Sequence, residues 1–434
     1  MTTRRPLRNA LVAVALAVAS VSAAPAAPAA DAPRPDGDPR PGRRGAPHDV
    51  VTWAAGAERL GEGVAGRAYR LVVRVSVGGT DLRVRLTNAE GDRPVTFDSV
   101  RAGIRAEGAA LVPGSNRRVT FGGAGTVTLP AGATVFSDPL PGRAPAGRDL
   151  AVSLHSPDAA GPVTGHGTAL QTSYVTDGDR TAEESAAHWP TTVRSWPYLD
   201  AVTVRAPAPT GAVVTLGDSI TDGHASTADR NRRWPDRLAA RLRASSATTV
   251  EGVANEGISG NRVLTDGSAP GALHRLDRDA LSLPGVRTVL LVEGVNDLKA
   301  APGATADALL AGYRAVVARA HAAGVCVVGA TVAPFKGWPE WDRAAEAVRQ
   351  EVNAVVREGG VFDAVADADR VLRSPHDPER LSPFLDGGDH LHPDDDGMRA
   401  LADAVDLAAL ECAGGPPDDA GRRPPLSRPP SAPW

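Results

Sequence analysis

Residues Val213 to Gly223 read Val-Val-Thr-Leu-Gly-Asp-Ser-Ile-Thr-Asp-Gly, and no other stretch constrains the fold of this chain as strongly. Four apolar or β-branched residues in a row predict a strand buried on both faces, as in a parallel sheet. The strand runs directly into Gly217, Asp218 and Ser219, with a second glycine at Gly223. A serine is thereby offered at the C-terminal end of a strand, the edge where open α/β sheets bind ligands. On a tight turn it can present both its hydroxyl and its own N–H to a substrate. Taken alone, Gly-Asp-Ser is also explained by a glycine turn with an Asx-type hydrogen bond.

Three further blocks follow in order. Asn255-Glu256-Gly257-Ile258-Ser259-Gly260-Asn261 follows a second apolar strand, Gly294-Val295-Asn296-Asp297 follows a third (Thr288 to Val292), and Asp389-His390-Leu391-His392-Pro393 lies near the end. From Gly211 to Leu410 the chain resembles the GDSL/SGNH hydrolase superfamily, whose four blocks hold a Ser, a Gly, an Asn and a His. Here they fall on Ser219, Gly260, Asn296 and His392. The resemblance implies a flavodoxin-like three-layer α/β/α domain and a serine esterase or lipase without a cofactor. It also implies an oxyanion hole made by the N–H groups of Ser219 and Gly260 with the Asn296 amide.

The chemistry requires these residue types. A serine hydroxyl is a weak nucleophile until a base takes its proton, so a histidine is needed, and His392 has an acid three residues before it. Asp389 would hold the imidazole in the useful tautomer. When the carbonyl becomes tetrahedral its oxygen gains charge, which preorganised donors must meet. Gly260 lacks a Cβ, which lets its N–H approach closely. His390 is read as a neighbour, since only His392 has both the preceding acid and the following proline. Asp394, Asp395 and Asp396 suit the first turn of the last helix, where negative charge complements the dipole, so no metal site is expected.

Alternation of strands and helices supports the same layout. Trp234, Leu238 and Leu242, then Leu309, Tyr313, Val316 and Ala320, then Val348, Val352 and Val355 recur at helical spacing. Val325 to Thr331 and Phe362 to Ala366 are expected as strands four and five. Such βα units give a parallel sheet wound right-handed, with helices on both faces.

Ahead of this region the period changes to two. Leu71, Val73, Val75 and Val77 alternate with Arg70, Val72, Arg74 and Ser76; after Gly78-Gly79 come Leu82, Val84 and Leu86 against Arg83 and Arg85. An antiparallel pair with one wet face is expected. Further short candidates are Val95 to Ile104, Arg118 to Phe121, Thr126 to Leu129, Thr134 to Phe136 and Leu150 to Leu154. Regular short strands without helices argue for a β-sandwich or jelly roll. Trp189, Trp196 and Tyr198 near its end are read as packing residues, with a carbohydrate platform as the alternative.

The 434 residues are 42% hydrophobic and 23% charged with a net charge of −4, which suits a globular protein and implies no nucleic-acid partner. Arg4, Arg5 and Arg8 before the apolar run Ala10 to Ala19, with Val21-Ser22-Ala23 after it, read as an export signal. The run is too short to span a bilayer. The two adjacent arginines also fit twin-arginine export as an alternative to the general route. The expected layout is a signal peptide over 1–30, a linker over 31–47, the sandwich over 48–206, the hydrolase over 207–412 and a Pro-rich tail over 413–434.

The substrate is less legible. Asp218, Phe335, Trp338 and Trp341 are candidate substrate contacts, the last three from a loop after strand four on the catalytic edge. The expectation is a secreted, monomeric serine esterase acting on a short acyl ester or an acetylated glycan. The alternatives are a lipase or acyltransferase using the same residues, and a glycan-binding sandwich fused to a weak hydrolase. Cys326 and Cys412 are the only cysteines, and both are expected at the sheet edge opposite the site. If they pair, denatured and unreduced protein shows no free thiol with Ellman's reagent; two free thiols would end that idea.

Overall fold

The computed structural model describes residues 45–158, 161–267, 269–300 and 302–411. The export signal, most of the linker, the tail and Cys412 lie outside them. Five parallel strands form the central sheet, in the spatial order Val250–Gly257, Gly211–Gly217, Val286–Val292, Cys326–Ala330 and Ala364–Ala366. The strand that leads to Ser219 lies inside the sheet and is buried at all seven positions, as its unbroken apolar run requires.

Alternate residues of that strand serve opposite faces. Val213 packs with Trp234, Leu238 and Leu242 of the Trp234–Arg243 helix and with Met398 and Leu401 of the Asp395–Asp403 helix. Val214 and Leu216 belong to the core that takes in Leu309, Tyr313 and Val316 of the Ala306–Ala322 helix and Val352 and Val356 of the Arg343–Glu358 helix. The result is the expected three-layer α/β/α arrangement. The last helix ends at Asp403, and a 3₁₀ turn, Ala408–Glu411, follows it. There Leu410 O accepts a hydrogen bond from Thr288 Oγ1 at 2.7 Å, and Thr288 is in register with Cys326.

The N-terminal region is an all-β sandwich, as expected, but the two strands expected to pair, around Leu71 and Leu82, do not. Arg67–Arg74 lies between Ser173–Asp177 and Asp149–Ser156 in one sheet. Gly79–Thr87 lies between Leu199–Ala206 and Leu140–Ala144 in the other. The chain crosses between sheets at Val75 to Gly78 instead of turning back on itself. Period two failed to predict this because the supposed wet face is not wet: Arg70 is fully buried. Its guanidinium donates to Ser153 Oγ at 2.9 Å and Ala109 O at 2.7 Å, and it stacks on Trp189 at 4.3 Å. A strand centred in a sheet with both faces covered can carry arginine when every donor finds an acceptor.

The sandwich covers an edge of the parallel sheet. Among the described residues Val250–Gly257 has one partner within its sheet, and an uncovered edge would invite pairing with other chains. Ser76 of the crossover accepts from Val253 N at 2.9 Å, and Ala55 bridges to Asn255 in parallel fashion. One hydrophobic core runs from Val50 and Leu71 through to Leu309 and Val352. Trp189, Trp196 and Tyr198 are all buried, which is the packing role and leaves no platform.

On the far side, the segment after Ala330 is held by a buried charge cluster. Arg349 is fully buried and bonds Val332 O at 3.0 Å, Asp369 at 2.7 Å and Glu346 at 2.7 Å. Asn353 clamps the same residue, accepting from Val332 N and donating to Val332 O. Replacing Arg349 with Met leaves two buried carboxylates short of a cation and should cost about 3 kcal/mol or more. Chemical denaturation checks this; an unchanged midpoint would show that the cluster contributes nothing net.

Candidate active site

Parallel pairing brings three strand ends to one edge: Gly217 is in register with Gly257 on one side and Val292 on the other. Asp218 follows Gly217 and caps a one-turn helix, Ser219–Asp222, its carboxylate accepting from Ile220 N at 2.9 Å. Ser219 is therefore the first helical residue, and its side chain leaves the sheet edge toward the loop that carries His392. Ser219 Oγ lies 2.8 Å from His392 Nε2, and His392 Nδ1 lies 2.6 Å from Asp389 Oδ2. Asp389 also accepts from the backbone N–H groups of Leu391 and His392, which fixes the carboxylate before the ring arrives.

The oxyanion side is assembled from two loops. Asn296 sits in the short helix Val295–Lys299 and donates one amide hydrogen to Asn261 O at 2.9 Å. A primary amide has two donors, so one remains for a ligand. Among the described residues, neither Ser219 N–H nor Gly260 N–H meets a protein acceptor. Gly260 has φ +79°, and a Cβ built there would touch nothing within 4 Å. The glycine is needed for its left-handed backbone and not, as expected above, to make room.

Electrostatics keep the histidine ready as a base. Burial pushes the His392 pKa down; Asp389 opposes this, but the nearby His224 and Lys299 add to burial and the net shift is downward. Burial also works against the charge of Asp389, yet the hydrogen bonds from His392 and Leu391 outweigh it and hold the carboxyl below its ordinary value. Among the described residues Asp218 accepts only from Ile220 N, and that bond and the nearby Lys299 are outweighed. Burial raises it to about 7.

Several residues expected at the site are placed otherwise. Phe335 is fully buried in the core and Asp218 is 1% exposed beneath the serine turn, so neither offers surface to a substrate. Trp338 does reach the site: it meets the His392 ring edge-on at 5.8 Å. Trp341 is half-buried further along the loop, with Lys336 Nζ 5.5 Å from its ring. His390 turns away to Asp386 at 2.7 Å. Asp394 caps the last helix, accepting from Asp396 N and Gly397 N, and Asp395 holds Thr227 and Arg232.

Other residues at the site were not foreseen. His224 lies against His392 at 4.2 Å between centroids with the rings tilted by 48°, and Lys299 Nζ lies 4.6 Å from the Trp338 ring. Lys299 is one of only two lysines and stands three residues after Asn296, a signal open to sequence reading. Ligand atoms of His224, Asp389 and His392 lie within 4.8 Å of one another, the grouping among the described residues with the donors for a metal ion. Two of the three are already hydrogen-bonded to each other.

A parallel α/β/α sheet with Ser, Gly, Asn and His blocks at its C-terminal edge defines an ester-hydrolase class of site. Residues 215–400 match the model of the GDSL-like lipase/acylhydrolase family, a span that holds all four blocks. The chain carries a domain of that family and is a carboxylic ester hydrolase.

No curated protein matches the chain. Similar solved structures include an aryl esterase from M. smegmatis, 18% identical, covering 45% of this chain and 96% of that one with a TM-score of 0.37. A carbohydrate acetylesterase from Sinorhizobium meliloti is 19% identical over 45% of this chain and 96% of that one, TM-score 0.35. A member of the lipolytic G-D-S-L family from Veillonella parvula DSM 2008 is 19% identical with the same coverages and a TM-score of 0.35.

The depressed pKa of His392 sets a pH profile. A base must be neutral to accept a proton, so kcat/KM should hold level near neutral pH and fall only as pH drops below the ordinary imidazole value of about 6.5. Ionisation of Asp218 is a separate event, and in Asp218→Asn the lower inflection should remain. An inflection clearly above the ordinary imidazole value that persists in this variant would contradict the assignment.

Proposed function

We propose that this protein is a secreted serine esterase that cleaves short acyl esters, or acetyl groups from a glycan, through an acyl-enzyme on Ser219. The observation that carries this reading is the chain Ser219 Oγ, His392 Nε2, His392 Nδ1, Asp389 Oδ2, with 2.8 Å and 2.6 Å contacts beside two unused N–H donors and the Asn296 amide. Export is supported by the basic and apolar N-terminus of the sequence.

In this reading Ser219 Oγ attacks the ester carbonyl carbon while His392 Nε2 takes its proton. Charge gathers on the carbonyl oxygen, where Ser219 N–H, Gly260 N–H and the Asn296 amide receive it. Asp389 stabilises the imidazolium without taking the proton itself. When the tetrahedral centre collapses, His392 returns the proton to the leaving alcohol oxygen and the acyl group stays on Ser219. Water then attacks with the same base, the acid departs, and Ser219 recovers its proton. Trp338 flanks His392 and carries Lys299 against its ring, and these two are the groups placed to meet the substrate beyond its carbonyl.

Hydrolysis of p-nitrophenyl esters of increasing chain length, alongside acetylated xylan, tests the reading. Ser219→Ala should lower kcat by roughly 10⁴-fold or more with the fold intact, and His392→Ala about as much. Asn296→Ala should lower kcat by roughly 10²- to 10³-fold with little change in KM, since the charge it meets exists mainly in the transition state. If Ser219→Ala keeps a tenth of wild-type activity, the nucleophile is misassigned; a change in KM alone would make Asn296 a substrate holder.

A further inference from the structure

The sandwich reaches the catalytic edge through one buried ion pair. His166 ends the strand Pro162–His166 and its side chain is 3% exposed; Asp222 ends the Ser219 turn and its side chain is 2% exposed. His166 Nε2 lies 2.9 Å from Asp222 Oδ1 and 3.3 Å from Thr168 O, while Nδ1 lies 3.0 Å from Gly56 O. Among the described residues, the hydrogen-bond neighbours of the ring nitrogens are oxygens able to accept. Beside an ionised Asp222, hydrogen on both nitrogens, an imidazolium, is the form that satisfies these contacts. Burial alone would lower its pKa, but the Asp222 carboxylate, helped by Glu58 and Gly56 O, overrides burial and raises it. Arg233, stacked 5.7 Å from Trp196, is the other cation that feels Asp222.

The second oxygen of Asp222 faces the other way. Oδ2 accepts from Ser259 Oγ at 2.6 Å and from Ser259 N–H at 3.2 Å. The next residue is Gly260, whose N–H is an oxyanion donor in the function proposed above. The two loops are pressed together, because a Cβ on Gly257 would fall 2.1 Å from Asp222 N. Little slack is left between Asp222 and the turn that carries Gly260.

We propose that His166 is a positioning residue: the sandwich's buried imidazolium fixes Asp222, Asp222 fixes Ser259, and Ser259 fixes the direction in which Gly260 N–H points. This rests on the ester-hydrolase reading of Ser219 and Gly260 and adds a role for the sandwich in that same site. His166 touches no reacting atom. A carboxylate held by one charged donor on one side and two donors on the other keeps a single rotamer, and a donor aimed at a developing charge loses effect once it swings away.

Kinetics of His166→Gln, Ser259→Ala and the double variant test the chain of contacts, with kcat counted per active site titrated by a serine-directed phosphonate. Each single change should lower kcat by about 10-fold with KM unchanged, less than loss of a whole oxyanion donor. Because both act through Gly260, the double variant should be little slower than the slower single one. Losses that multiply would overturn the proposal, as would an unchanged kcat in either single variant. A merely structural role would lower Tm and the titratable fraction while sparing kcat per site. If His166→Gln fails to fold, Ser259→Ala alone decides, since Ser259 is half-buried in a turn and its replacement removes only a hydroxyl.

A substrate-free readout separates this proposal from the reading beneath it. The ¹⁵N signals of His166 at pH 7 should be those of a doubly protonated ring, and a neutral ring would overturn the proposal whatever the wild-type protein hydrolyses. Wild-type protein that turns over no ester would overturn the ester reading itself, and the positioning role with it.

Discussion

One fully buried guanidinium holds the catalytic edge together. Arg275 donates to Gly217 O at 3.0 Å, to Glu256 O at 2.6 Å and to Asn261 Oδ1 at 2.9 Å, and pairs with Asp279 at 3.2 Å. Gly217 leads into the serine turn, while Glu256 and Asn261 bracket the glycine turn. Gly217 O also accepts from Ile258 N at 3.0 Å, so Arg275 meets the second lone pair of that carbonyl, and burying carbonyls short of donors would be costly. A planar fork of donors satisfies several at once, so the two loops share one anchor. Asn261 O in turn receives the Asn296 amide, which extends the anchor to the third block.

Much of this was legible in the sequence because the signals are local. A buried parallel strand shows as Val213 to Leu216, and helices show as Trp234, Leu238 and Leu242. Each of the four blocks reads as a short motif at a strand end. What stayed hidden depends on partners far along the chain. Arg70 looked like a wet-face residue because nothing nearby reveals that Ala109 O and Ser153 would receive it. Phe335 looked available because an aromatic in a loop gives no sign of which way the loop folds. His166 carried no motif, and its meaning comes from Asp222, fifty-six residues away.

The same contrast explains what the sandwich does for the site. Its strands were readable as a separate β region, but its contacts with the parallel sheet were not. Ser76 bonds Val253, Arg278 joins Glu90 and Ala57 O, and Arg85 pairs with Asp200 close to the buried Glu256. Among the described residues neither side-chain oxygen of Glu256 has a hydrogen-bond partner, and burial raises its pKa well above the usual carboxylate range. The nearby Asp279 and Asp200 push in the same direction as burial, against the pull of Arg85 and Arg275. The sandwich thus covers the open edge of the sheet and packs behind the loops that hold Ser219 and Gly260.

The central claim is that Ser219 is the nucleophile of an ester hydrolase. Mass spectrometry of peptides after reaction with an irreversible serine-directed phosphonate, read against residual esterase activity in the same sample, tests it most directly. The account requires the added mass on the peptide containing Ser219 and on no other, with activity lost in proportion to labelling. Label on a different serine, or full activity with Ser219 occupied, would contradict it.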